Sequence, residues 1–166
     1  MKRLLIILTV AAVLAGCGIY SFTGTSIDPD VHTICIPTFE YKAMRVNPSL
    51  SNDLSEALRT RFRRMTRLEQ VELDGDLEIS GEIVGYDVSA SAVTASEVAA
   101  QNRLTVTIKV DFTNVKHPES SFSGKNFSAY ADYDSSNSLD AVEGTLCTEI
   151  IEKLIEDIFN ATVAQW

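Results

Sequence analysis

Leu104, Val106, Ile108, Val110 and Phe112 alternate without interruption with Thr105, Thr107, Lys109, Asp111 and Thr113. Side chains on a strand point to opposite faces with a period of two, so the run predicts a strand with one packed and one solvated face. A strand buried on both faces would read as a continuous apolar run; this one belongs in an antiparallel sheet with an open side. After a break at Lys116-His117-Pro118-Glu119, residues 122–133 return as a partner strand through Phe127, Ala129, Ala131 and Tyr133. Upstream, Leu77, Ile79 and Ile83 alternate and then change phase to Val84, Tyr86 and Val88 between Gly81 and Gly85. That phase change predicts a bulge or a sharp bend.

Two helices are expected to cover the packed face. Asn47-Pro48 reads as a cap followed by a proline in the first turn, where no backbone donor is lost. Leu50, Leu54, Ala57, Leu58, Phe62 and Met65 then recur at helical spacing. Residues 138–164 carry two neighbouring apolar rows, one through Leu139, Val142, Leu146, Ile150, Leu154 and Ile158, the other through Cys147, Ile151, Ile155 and Phe159, so the buried stripe is wide. Residues 31–39, β-branched with Pro37 near the end, suit a first strand, and 70–73 a short one turned by Asp74-Gly75. The expected fold is α/β in the sense of an α+β sandwich. Its four-stranded mixed sheet follows the order strand, helix, strand, strand, strand, helix. A right-handed crossover sets the first two strands parallel, and both helices lie on one face. The weakly polar connection over residues 89–102 is long enough to suggest contact with a partner, a mobile loop being the alternative.

The N-terminus bears on location. Lys2-Arg3, an apolar run over residues 4–13 and Leu14-Ala15-Gly16-Cys17 follow the order of a secretory signal, and the run is too short to span a bilayer. The last four residues resemble the lipobox of bacterial lipoproteins, which implies acylation of Cys17 and removal of residues 1–16. Residues 17–30 read as a lipidated tether and 31–166 as one domain. Gly18 stands where inner-membrane retention signals usually have Asp, so the resemblance implies the outer membrane. The chain has 14 basic and 23 acidic residues; without Lys2 and Arg3 its net charge would be −11. Nucleic acid is thereby an unsuitable partner, and attachment to the membrane falls to the acyl anchor. Cys35 and Cys147 both sit in apolar patterns and read as buried free thiols, with a bridge as the alternative that an oxidising compartment permits.

The order of elements behind that lipobox resembles the LPS-assembly lipoprotein family, LptE. The resemblance is carried by Cys17-Gly18-Ile19-Tyr20-Ser21-Phe22-Thr23-Gly24, by Asn47-Pro48 leading into Leu50-Ser51-Asn52-Asp53-Leu54, by Asp76-Leu77-Glu78-Ile79-Ser80-Gly81-Glu82-Ile83, and by the closing helix. Ile19 departs from the aromatic that many members place directly after Cys-Gly. The resemblance implies a domain that plugs the lumen of an LptD-type outer-membrane β-barrel and helps it place lipopolysaccharide in the outer leaflet. It implies binding, with no covalent chemistry and no cofactor. A stand-alone, periplasm-facing lipoprotein that binds a soluble anionic ligand or the cell wall is the other reading.

Arg59, Arg61, Arg63, Arg64 and Arg67 form the sharpest feature of an acidic chain. Guanidinium forks bind phosphate bidentately, so the cluster is a candidate site for lipopolysaccharide phosphates; the alternative is a solvated helix end whose cations offset the dipole. Residues 132–143 place oxygens near a calcium-loop spacing, but position six is Asn137 instead of glycine, and helix capping explains the same residues more simply. His32 and His117 have no cysteine or carboxylate pair beside them in sequence, and no Gly-x-Ser-x-Gly elbow occurs, so neither a metal site nor a hydrolase is expected.

Overall fold

The alternating run forms β5 (Gln101–Asn114) at the centre of an antiparallel meander between β4 (Leu77–Ser91) and β6 (Phe122–Asp134). The structure, a computed structural model, describes residues 27–91 and 100–164. Ahead of the meander come β1 (Thr33–Cys35), β2 (Glu40–Tyr41), α1 (Leu50–Met65) and β3 (Glu69–Val71); α2 (Leu139–Thr162) closes the fold. The sheet order is β3-β1-β4-β5-β6, with β2 also paired to β4. β1 runs parallel to β3 and β4, and β2 runs parallel to β4.

The mixed sheet, the parallel first crossover and the meander agree with expectation. The phase change is a register shift between Ile83 and Gly85, which leaves Val84 39 % exposed while Ile83 and Tyr86 stay buried. The strand count does not agree: among the described residues six strands replace the four expected. One reason is Pro37, which lacks an N–H and ends the expected strand after β1, so that the chain pairs with β4 again only at β2, beyond residues 31–39. The other is β3, whose three residues complete the far edge. Residues 89–91 and 101–102 also extend β4 and β5, so the connection between them is shorter than expected. Residues 92–99 of that connection lie outside the described residues.

The break around Pro37 leaves backbone groups without ladder partners, and α1 supplies them. Ser51 Oγ donates to the Phe39 carbonyl, Phe39 N donates to Ser55 Oγ at 3.0 Å, and Arg59 Nε donates to the Ile36 carbonyl at 2.8 Å. Spaced by four, these three side chains line one row beside the apolar stripe of Leu50, Leu54, Leu58 and Phe62. Ahead of α1, Asn47 Oδ1 accepts from Ser49 N and Leu50 N, both at 3.1 Å, and so holds the turn that leads into the helix; the N-cap is Ser49, so Asn47 and Pro48 lie just before the first turn expected of them.

β3 returns to β4 across β1 through only residues 72–76. A Cβ on Gly75 would lie 2.6 Å from Cys35 N and from the Leu77 carbonyl oxygen, so only glycine fits that close passage. Both helices contribute to one continuous core with the inward residues of the sheet, from Leu50, Leu54, Leu58 and Phe62 on α1 to Leu146, Ile150, Leu154 and Ile158 on α2. The opposite sheet face is uncovered and polar. Arg103 forks onto Asp132 at 2.7 and 2.9 Å and stacks 3.6 Å from the centre of the Tyr130 ring; Thr107 meets Ser128 at 3.1 Å; Glu82 lies between Lys42 and Lys109. Among the described residues no helix is long and apolar enough to cross a membrane.

Candidate anion-binding cleft

The ends of α1 and α2, the turn after β5 and the start of the described chain all meet at one end of the molecule. Ile27 and Val31 there share one pocket with Leu77, Phe112, Thr162 and Val163, and a second with Met65 and Leu68. The segment is tied down. Val31 N donates to the Asp28 carbonyl at 3.1 Å, and His117 Nε2 lies 3.1 Å from Asp30 Oδ1 and 3.5 Å from Asp28 Oδ2. The hydrogen bond to Asp30 raises the His117 pKa above its ordinary value, and the same bond lowers that of Asp30.

The arginine cluster converges on this end but does not act as one site. Arg59 is part of the fold: besides Ile36 it reaches Thr38 Oγ1 at 3.2 Å and pairs with Glu56. Arg61 lies over the Phe159 ring at 5.2 Å, and its Nε is buried without a hydrogen-bond partner. Arg63 donates to Gln70 Oε1 at 3.1 Å. Among the described residues, Arg64 and Arg67 alone of the five have neither an ion pair, a hydrogen bond nor an aromatic ring as partner. Both line a cleft of about 620 Å³ with Ile27, Asp28, Val31, His32, Met65 and Thr66. Two guanidinium groups and an imidazole on the wall of such a cleft can donate to a phosphate or carboxylate.

Local bonds set the shape of this cleft. Thr66 N and Oγ1 both donate to the Phe62 carbonyl, ending α1 between Arg64 and Arg67. His32 is held through its backbone: its N–H and that of Thr33 donate to Asp76 Oδ2 at 2.9 and 3.1 Å, and its carbonyl accepts from Glu69 N at 2.9 Å. These two N–H bonds also lower the Asp76 pKa, the one from His32 most. The sequence assigns His32 no role, since neither a cysteine nor a carboxylate pair stands beside it. Nothing in its own neighbourhood of sequence points to Arg64 and Arg67, because β3 brings them together from the far side of α1.

A second polar cluster lies at the opposite end of α1 and was not visible in the sequence. The Tyr86 hydroxyl donates to Glu143, accepts from Asn47 Nδ2 at 3.5 Å and lies 3.8 Å from Cys147 Sγ. Burial and the Glu143 carboxylate push the Tyr86 pKa far up, so it stays a neutral donor. Cys147 and Cys35 are free and buried, and burial raises both thiol pKa values, which keeps them protonated and unreactive. Three of the four carboxylates of the calcium-like stretch are otherwise engaged: Asp132 holds Arg103, Asp134 Oδ1 accepts from Ser136 N at 2.8 Å, and Glu143 accepts from Tyr86. Among the described residues no three side chains group as metal ligands. Cys17 lies outside the described residues.

Residues 31–162 match the sequence profile of the family described as LptE, lipopolysaccharide-assembly. No curated protein matches the chain in sequence. Among solved structures, the hypothetical protein CT253 from Chlamydia trachomatis superposes with a TM-score of 0.54 at 9 % identity, over 81 % of this chain and 99 % of the other, which is a likeness of fold. A minor lipoprotein from Acinetobacter baumannii gives a TM-score of 0.47 at 13 % identity, over 77 % of this chain and 89 % of its own. The rare lipoprotein B from Shewanella oneidensis gives 0.42 at 12 %, over 74 % and 89 %. With the profile spanning both helices and every strand described above, the chain belongs to the LptE family of lipopolysaccharide-assembly proteins.

Proposed function

We propose that this protein is an outer-membrane lipoprotein, acylated at Cys17 after removal of residues 1–16, that partners and plugs an LptD-type β-barrel and assists lipopolysaccharide assembly at the cell surface. The family match over residues 31–162 carries the reading. The fold is consistent with it: a lumen wall is hydrated, and the uncovered sheet face offers paired charges and hydroxyls instead of an apolar surface. The domain acts by binding and needs no cofactor. Of the five arginines proposed as a phosphate site, Arg59, Arg61 and Arg63 have partners within the domain, which leaves Arg64 and Arg67 to meet an external anion.

The test is extraction of outer membranes in mild detergent through a C-terminal tag, followed by identification of what co-purifies. A large β-barrel at near-equal amount is the expected result. A lone lipidated monomer, under conditions that keep other barrel complexes intact, refutes the proposal.

A further inference from the structure

We propose that the cleft formed by Arg64, Arg67 and His32 binds the phosphate of a glycerophospholipid headgroup from the leaflet that holds the protein's own anchor, and so orients the domain on that membrane. This rests on the reading of Cys17 as the lipidated residue. Nine residues, or ten steps along the chain, separate Cys17 from Ile27. Fully extended, they reach about 35 Å at most. The cleft lies where that segment joins the domain, because Ile27, Asp28, Pro29 and Val31 form part of its wall. The bound headgroup is therefore one that the tether brings near.

The charge distribution favours such a site. The chain is acidic overall, so general attraction to an anionic surface is absent, and orientation needs a local basic feature. Arg64 and Arg67 supply it, without partners of their own among the described residues, whereas Asp28, the carboxylate on the cleft wall, lies 3.5 Å from His117. Met65, 44 % exposed, and Ile27 give the same cleft apolar surface beside its cations, a combination suited to a phosphate carried on glycerol and acyl chains more than to a free ion.

The experiment titrates short-chain phosphatidylglycerol into the mature lipidated protein in neutral detergent micelles and follows the His32 ring resonances by NMR, assigned with His32→Gln. The expected result is a saturable shift. Each Lys or Arg near an anionic lipid surface is worth roughly a fivefold change in affinity, so Arg64→Ala and Arg67→Ala should each weaken binding roughly fivefold and the double variant about 25-fold. Arg63→Ala, on the same helix end but outside the cleft, should stay within about twofold. Equal weakening by Arg63→Ala overturns the site in favour of a diffuse field. Inorganic phosphate binding as tightly as the lipid overturns the headgroup in favour of a soluble anion. Saturation by a phosphorylated lipid A disaccharide but not by phosphatidylglycerol assigns the cleft to the transported substrate and refutes the leaflet proposal. None of these outcomes touches barrel co-purification, and a mass without acyl chains at Cys17 counts against the proposed function itself.

Discussion

Ser55→Ala and Arg59→Ala should destabilise this domain while Arg64→Ala does not, although Arg59 and Arg64 are exposed-looking arginines of one helix. Ser55 is fully buried and is the hydrogen-bond partner of the Phe39 N–H, which has no strand partner after the break at Pro37. An orphaned buried donor costs about 1–3 kcal/mol, and the site is dry, so about 2 kcal/mol is expected. Arg59 donates to the Ile36 carbonyl and to Thr38 with its side chain 22 % exposed. A hydrogen bond from a charged donor is worth about 1.5–3 kcal/mol; because the stranded carbonyl can recruit water, about 1.5 kcal/mol is expected. Arg64 has no partner among the described residues, and surface changes of that kind stay within about 0.5 kcal/mol. For a chain of this size 1 kcal/mol moves the melting temperature by roughly 2–4 °C, so Ser55→Ala should lower it by about 4–8 °C and Arg59→Ala by about 3–6 °C. The double variant should lose less than the sum, because both side chains pin the same segment, residues 36–39. Thermal unfolding followed by circular dichroism compares the four variants with the wild type. Arg59→Ala melting with the wild type, or Arg64→Ala melting as low as Ser55→Ala, would refute the assignment of Arg59 to the fold and Arg64 to the cleft.

Three further outcomes are expected. Gly75→Ala places a Cβ 2.6 Å from two backbone atoms and should cost about 3 kcal/mol, whereas Gly144→Ala, with nothing within 4 Å in mid-helix, should gain about 1 kcal/mol; urea midpoints at constant m-value separate the two signs. Tyr86→Phe should cost about 1–2 kcal/mol in the same assay, since Glu143 and Asn47 lose a buried partner without any change of apolar volume. Docking of the segment carrying Asp28 and Asp30 should depend on pH at both ends. The His117 pKa is raised above 6.5, so its contribution is complete below that value and fades as pH rises through the folded pKa. The Asp30 pKa is lowered below 3.8, so its contribution is complete above that value and fades as pH falls through the folded pKa. Protection against hydrogen exchange over residues 28–31, taken relative to the intrinsic rate at each pH, should therefore be greatest between about pH 4 and 6, and His117→Ala should flatten the profile.

What the sequence made legible was whatever local periodicity or a single cap decides. The alternation through β5 gave the strand and its buried face, the slip between Ile83 and Tyr86 marked the bulge, and Asn47-Pro48 marked the approach to α1 to within two residues of its cap. The two apolar rows of α2 gave a buried stripe that includes Leu146, Cys147, Ile150, Ile151, Leu154, Ile158 and Phe159. The sheet edge was legible only in part: residues 70–73 suited a short strand, and β3 spans Glu69–Val71, but three residues are too few for any period to assign it to the sheet, and its parallel pairing with β1 depends on a five-residue passage that only Gly75 permits.

The arginines show the same limit at the level of a site. Five residues of one type within nine positions have separate fates because their partners, the Ile36 carbonyl, the Phe159 ring and Gln70, come from other parts of the chain. A signal for one of them was nonetheless present. Ser51, Ser55 and Arg59 repeat at four-residue spacing next to the apolar row of α1, and a polar row in that position is what a helix needs when it packs on backbone that lacks ladder partners. The proline that breaks the first strand and the polar row that repairs the break are therefore two halves of one device. Once Arg59 is assigned to it, the charge left for recognition is concentrated at Arg64 and Arg67, beside the segment that leads to Cys17.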